Sequence, residues 1–256
     1  MINKKLEKIE LDRNIKQLKK EFIRIRNLEY VKTIRAGNTG VGATFEHLLG
    51  KEQESFEIPD FGQIEIKTRR SYSKALISLF SAVPTGSSFY EVKRLRDTYG
   101  YRDPKEKSLK RLNTIIFRNQ LTSVGIYYYF GLKIDREHQK VYLQVYDKQK
   151  NLIDESTYWD FDILEEKLFR KLSILAVVKA WPNRIGGIEY FKYYKMNIYL
   201  LRGFQEFINM LENGKIAIEF RIGNYYDPKK FGMVHSHGVA FAIKEEDLED
   251  LYEIYR

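Results

Sequence analysis

The sequence predicts an α/β protein in which a mixed sheet is flanked by helices. Three observations carry this expectation. Ile15, Leu18, Phe22 and Ile25 repeat at helical steps of three and four near the N-terminus. "ALISLFSAVP" and "ILAVVKAW" are largely apolar runs of strand length, as buried strands require. Helix-like and strand-like segments then alternate to the C-terminus.

In chain order, residues 3–28 read as a helix whose apolar stripe docks on a core, with a solvated basic face; a dedicated DNA-binding helix is the competing reading. "RAGNTGVGATFEHLLG" supplies a glycine-rich turn, then a short helix closing at Gly50. No Gly-Lys-Ser/Thr follows, so this is not a Walker loop, although amides at such a helix start can meet a phosphate. "IPDFGQIEIKT" reads as a turn leading into a strand, and "ALISLFSAVP" as its buried neighbour. Residues 93–118 carry nine basic and three acidic side chains, and Gly100, Asp103 and Pro104 are expected to break them into loops. "IYYYFGLKID" and "KVYLQVYD" read as paired strands around Glu137 and His138. "FDILEEKLFRKLS" is helical, "ILAVVKAW" and "EYFKYYKMNIY" are strands, and "YLLRGFQEFINMLENG" is a helix stopped at Asn213-Gly214. "KIAIEFRIG" and "HSHGVAFAI" are late strands around a polar loop, and "EEDLEDLYEIY" is a closing helix. No internal repeat or low-complexity linker is visible. The basic, turn-rich stretch suggests two lobes, residues 1–110 and 111–256.

Composition narrows the function. At 256 residues the chain can bury a substantial core. Its net charge of +9 points toward polyanions, of which nucleic acid is the commonest. The absence of cysteine excludes disulfides, thiolate zinc sites and cysteine nucleophiles. The charged N-terminus lacks a signal-peptide core and no run is long enough to span a membrane, so the expectation is a soluble, cytoplasmic protein.

The chemistry concentrates at Pro59-Asp60 and Glu65-x-Lys67. An acidic residue two before a lysine recurs by chance in so charged a chain, and the other cases are instructive. Glu165 and Lys167 lie in a helical run, where two residues place side chains on nearly opposite faces. Asp103-Pro104-Lys105 and Asp227-Pro228-Lys229 contain a turn-favouring proline. On a strand, by contrast, Glu65 and Lys67 share one face while Ile64 and Ile66 point to the other. Asp60, on the turn before the strand, can bring a second carboxylate beside Glu65. Such a pair invites a hard divalent cation, whose bound water an amine can orient for attack on phosphorus. Glu46, one helix upstream, can add a further carboxylate. From the residues alone, a salt-bridged strand edge remains the alternative.

These residues resemble the PD-(D/E)xK nuclease signature. "GNTGVGATFEHLLG", "IPDFGQIEIKT" with "LISLFS", "VYDKQ", "YWDFD", "KLSILAVV" and "RIGNYYDPKKFGMVHSHGVAF", in that order, resemble the MvaI/BcnI group of restriction endonucleases, relatives of Sau3AI and the MutH nickase. The resemblance runs from about Gly37 to Ile243. It implies a restriction-endonuclease-like fold of two lobes with duplex DNA in a cleft between them. It also implies a monomeric, Mg²⁺-dependent type II enzyme paired with a DNA methyltransferase, with Mn²⁺ expected to substitute and Ca²⁺ to support binding only. Asp60 and Glu65, with the Ile66 carbonyl, match the metal ligands, Lys67 the catalytic lysine and Glu46 the upstream helical glutamate. Arg221, His235 and His237 fall in the base-reading segment. Two departures stand out: Ser236 between the histidines, where the group leads one to expect Asp, and Arg69-Arg70 after the active strand.

Other readings stay beside these. His235 and His237 share a strand face and can bind zinc or hydrogen-bond within a turn, although no further ligands lie nearby in sequence; as donors they can also meet guanine N7 and O6. Arg94, Arg96 and Arg102 are either a solvated face or phosphate contacts. The 19 tyrosines are too scattered for a stacking platform. A MutH-like nicking enzyme and a catalytically silent DNA-binding protein are the alternative functions; the intact Asp60, Glu65 and Lys67 speak against the second.

Overall fold

The computed structural model describes residues 2–50, 59–85 and 88–256, so Ile58, the first residue of the nuclease-like motif, falls outside it. In chain order the first elements are α1 (Ile2–Arg26), β1 (Val31–Lys32), α2 (Gly40–Leu48), β2 (Glu65–Arg70), β3 (Ile77–Ser81) and α3 (Ser88–Tyr99). Then come β4 (Tyr101–Arg102), β5 (Lys110–Ile116), β6 (Thr122–Val124), β7 (Tyr128–Asp135), β8 (Lys140–Tyr146) and β9 (Leu152–Asp160). The chain closes with α4 (Phe161–Leu172), β10 (Ile174–Ile185), β11 (Ile188–Leu201), α5 (Phe204–Glu212), β12 (Ile216–Asn224), β13 (Val234–Ile243), α6 (Leu248–Leu251) and β14 (Tyr252–Ile254). Among the described residues, no helix is long and apolar enough to cross a membrane.

The chain forms two compact units, neither of them contiguous. The first comprises residues 1–75, 169–202 and 252–256, and the second 76–168 and 203–251. The division therefore follows packing across distant segments rather than a single cut near residue 110.

The first unit is built on a mixed sheet in the order β1-β11-β10-β2, with β14 pairing β11. β10 and β11 form a long antiparallel hairpin, closed at Gly186-Gly187 with φ of +57° and +81° at the two turn positions. Two consecutive positive φ angles are what a tight hairpin turn demands, and glycine adopts them without strain. β2 runs parallel to β10. One face of this sheet is sealed by α1 and α2: Ile15, Leu18, Phe22 and Ile25 bury beside Val41, Phe45, Ile64, Ile66 and Tyr193. The docking-helix reading of the N-terminus is the one the structure adopts.

The second unit holds two antiparallel sheets, β3-β13-β12-β5-β4 and β6-β7-β8-β9. An aromatic cluster fills its core, with Trp159 and Phe241 edge-to-face at 5.8 Å and Phe80 and Phe241 stacked at 5.2 Å. The buried indole Nε1 of Trp159 donates to the Ala82 carbonyl at 3.0 Å.

The structure corrects three local expectations. Residues 88–99 are helical, because Val92, Leu95 and Tyr99 bury at helical spacing; the density of charge between them concealed that stripe. The C-terminal segment is a 3₁₀ turn over Glu245–Asp247 and an α-helix over only four residues, and then becomes β14, since Tyr252 is buried and pairs with Leu201. β9 was not anticipated: its burial alternates only near the end.

The apolar stripe of α1 gives a test. Leu18→Ala should cost about 2–5 kcal/mol in denaturant unfolding, the usual range for a truncated core leucine, whereas Lys19→Ala should change little. Equal effects would show that α1 does not dock through this stripe.

Candidate active site

The turn before β2 sets the site. Phe61 and Ile64 exchange backbone hydrogen bonds of 2.9 Å in both directions, enclosing Gly62 at φ +59°. A Cβ on Gly62 would lie 2.4 Å from Asn14 Nδ2 of α1, so both backbone angle and space require glycine there. This tight turn returns Asp60 to the strand, where its Oδ2 accepts a hydrogen bond of 2.8 Å from the Ile66 amide. Within a strand, the N–H and C=O of one residue point the same way. The Ile66 amide faces Asp60 rather than β10, so its carbonyl also lies along the outer edge of β2.

Ile64 and Ile66 enter the core, and Glu65 and Lys67 occupy the other face, as their spacing predicts. Glu65 is only 2% exposed. Its Oε1 accepts from Lys67 Nζ at 2.6 Å and lies 3.4 Å from Lys171 Nζ. Its Oε2 is buried with no hydrogen-bond partner among the described residues. Burial pushes the Glu65 pKa up; Lys67 opposes this, Asp60 adds to it and Lys171 opposes it again, with a net upward shift.

Two contributors were invisible in the sequence. Lys171, at the end of α4, lies more than 100 positions from Glu65 and belongs to no local motif. Tyr252 is fully buried, and its hydroxyl pKa is raised by burial and by the negative charge of Glu65. That hydroxyl, like Glu65 Oε2, has no hydrogen-bond partner among the described residues.

Glu46 sits half-buried on α2, the helix that packs on β2; burial raises the Tyr193 pKa, Arg70 opposes this and the charge of Glu46 adds to it. The two arginines that depart from the resembled pattern hold backbone. Arg69 donates to the carbonyls of Ser73 and Ala75 at 2.9 and 2.7 Å. Arg70 grips Glu189 with both Nε and Nη2, at 2.8 and 2.6 Å, and donates to the carbonyls of Gly37 and Asn38 in the glycine-rich turn.

Among the described residues, no group of three or more His, Cys, Asp or Glu side chains is gathered to hold a metal. The donor set nevertheless fits a hard cation that keeps several waters: a buried carboxylate oxygen lacking any donor, a second carboxylate anchored nearby and an outward edge carbonyl.

In the second unit, Arg221 and His235 lie on one face of paired strands. Gly223 is opposite His235, and Arg221 is two residues before Gly223 on β12. The His235 ring packs on Tyr225 at 4.4 Å. Arg221 Nε is buried without a hydrogen-bond partner among the described residues. His237 is on the same strand; its side chain is outside the described ones.

Two arginines of the basic segment have internal partners. Arg94 is tied to Glu91 and Asp154 at 2.6 and 2.8 Å. Arg96 is buried and donates to Asn224 Oδ1, the Gly232 carbonyl and Asp97. Both guanidiniums are consumed by internal partners, and of the three arginines only Arg102 is exposed.

The electrostatics of Glu65 yield a stability test. Its raised pKa favours the neutral acid in the folded state, so the contribution is full below the unfolded value and is lost as pH rises through the folded one. Glu65→Gln should therefore raise the Tm of the metal-free protein at pH 7 but not near pH 4. A lower Tm at pH 7 would mean that the two lysines outweigh the burial.

Residues 19–252 match the model of the MvaI/BcnI restriction endonuclease family. Restriction endonuclease MvaI in complex with cognate DNA substrate is similar at 37% identity and a TM-score of 0.87, over 94% of this chain and 96% of that one. MvaI in the absence of DNA is similar at 36% identity and a TM-score of 0.62 over the same shares. No curated protein matches. Restriction endonucleases of this family generally use divalent metal ions. With the family pattern matched over most of its length, the chain belongs to the MvaI/BcnI restriction endonuclease family, and is a type II site-specific deoxyribonuclease.

Proposed function

We propose that the protein hydrolyses phosphodiester bonds on both strands of duplex DNA at a short specific sequence, as a Mg²⁺-dependent monomer. The observation that carries this reading is the outer edge of β2. There, a buried Glu65 oxygen with no donor, the anchored Asp60 and Lys67 at 2.6 Å are held together. Asp60, Glu65 and the Ile66 carbonyl would hold the metal, which when bound supplies Lewis-acid polarisation and a more acidic water. Mn²⁺ would substitute, and Ca²⁺ would support binding alone.

The chain's own residues do the remaining work. Lys67 spends one ammonium proton on Glu65 Oε1, leaving two to orient an attacking water or a non-bridging phosphate oxygen. Lys171 keeps Glu65 in place while Lys67 turns to substrate. Glu46 sits one helix away as a further carboxylate. The first unit thus cuts, and the second reads bases through Arg221, His235 and His237. The substrate class is the one in the MvaI complex. The enzyme would act in the cytoplasm beside a methyltransferase that protects the same site.

The cleavage reading is tested on supercoiled plasmid with purified protein and Mg²⁺. Wild type should linearise it; Asp60→Ala and Lys67→Ala should lose cleavage by at least about a hundredfold, the scale of general acid–base assistance, while still binding DNA in Ca²⁺. Near-wild-type cutting by either variant would refute the assignment. Nicking without linear product would indicate the MutH-like mode.

Reading and holding separate in a second experiment. His235→Ala should cost about 1–3 kcal/mol of discrimination between specific and random duplexes. Neutralising the exposed Arg102 and Lys107 should weaken both equally and flatten the log-affinity against log-salt slope by about 0.9 for each lost contact. Equal losses on both duplexes for His235→Ala would remove it from base reading.

A further inference from the structure

The sheet of the first unit has two unlike faces. Ile66, Ala176, Val178, Ala180, Phe191 and Tyr193 belong to the sealed one. The opposite face begins with Glu65 and Lys67. By register, Leu175 lies beside Glu65, Val177 beside Lys67 and Lys179 beside Arg69, so alternate residues of β10 continue this face. The next in that series is Trp181, on the part of the hairpin beyond the last β2 partner, Ala180.

Trp181 stacks in parallel on Tyr194, with centroids 4.1 Å apart and planes within 7°. Tyr194 occupies the position where the β10–β11 register shifts. The stack is not buried: Trp181 remains 46% exposed, whereas the other tryptophan, Trp159, is 0% exposed. Lys179 and Lys195 are direct cross-strand partners just before the stack. Lys195 is exposed, so its charge is open to a polyanion lying over this part of the face.

Trp181 is four residues beyond Val177, the register partner of Lys67, which is about 13 Å along the strand at 3.3 Å per residue. That is about four base pairs of axial rise at 3.4 Å each. Charge complementarity and continuity with the catalytic face identify the occupant. We propose that Trp181, Tyr194, Lys179 and Lys195 form a substrate-holding surface. Its aromatic rings pack on deoxyribose and its lysines meet phosphates of the DNA strand flanking the scissile bond, without reading sequence. This rests on the reading that the first unit cuts duplex DNA.

Because Trp159 is buried, acrylamide quenching of tryptophan emission reports on Trp181. A random-sequence duplex is titrated in Ca²⁺, with saturation followed independently by anisotropy of a label on the DNA. Quencher access should fall at least twofold at saturation, and Trp181→Ala and Lys195→Glu should each weaken random-duplex binding about tenfold, the range of an interface anchor. Undiminished quenching at proven saturation overturns the proposal while leaving the nuclease reading intact. Protection that appears without DNA and rises with protein concentration overturns it in favour of self-association. Failure of the labelled DNA to bind at all would instead remove the nuclease reading on which it rests.

Discussion

The hydrogen bond from the Ile66 amide to Asp60 Oδ2 organises the candidate site, because it settles three things together. It fixes one carboxylate at the start of β2, it turns the Ile66 peptide away from β10, and it leaves a carbonyl on the sheet edge. That bond forms only because the chain reverses in two residues at Gly62, against Asn14 of α1. A docking helix therefore sets the position of the first carboxylate proposed as a metal ligand. The apolar stripe that holds α1 and the carboxylate that is proposed to serve chemistry belong to one construction.

Around this frame the protein keeps a carboxyl group where burial disfavours its charge. Glu65 is enclosed, its pKa is raised, and one oxygen has no donor among the described residues, yet Lys67 and Lys171 both approach the other oxygen. A site made solely for stability would satisfy both oxygens or replace the acid with an apolar residue. An oxygen left without a donor suits a cation to come. Arg69 and Arg70 have a different duty. They tie the end of β2 to the Ser73–Ala75 loop and to the turn before α2, so rigidity at one end of the strand supports chemistry at the other.

The second unit shows why counting charges misleads. Asp103 is fully buried; burial opposes its charge, but donation from Tyr226, Lys105 and Asn224 prevails and holds its pKa below the usual carboxylate range. Asn224 in turn accepts from Arg96 at 2.7 Å. The network joins α3, the loop at Asp103 and the end of β12, the strand that carries Arg221. Arg96, one of the residues expected to meet phosphate, thus donates to the strand that is proposed to meet bases. Arg102, outside this network, keeps its exposure.

The sequence by itself determined whatever depends on near neighbours. The α1 stripe, the period-two separation of Glu65 and Lys67 from Ile64 and Ile66, the β7–β8 and β12–β13 pairs and the ordered motifs of the family were all legible. Each follows from local geometry and from residue types at fixed spacing. Only the tertiary structure decided what depends on distant partners. It placed Lys171 and Tyr252 at Glu65, closed two units from non-contiguous segments, and drew Arg94 and Arg96 into internal pairs. It converted the expected closing helix into β14 and put Trp181 on the face of Glu65. The physical reason is common to all of these. A side chain's burial and partners are set by the elements packed against it, and contacts between elements distant in the chain leave no period in a single sequence.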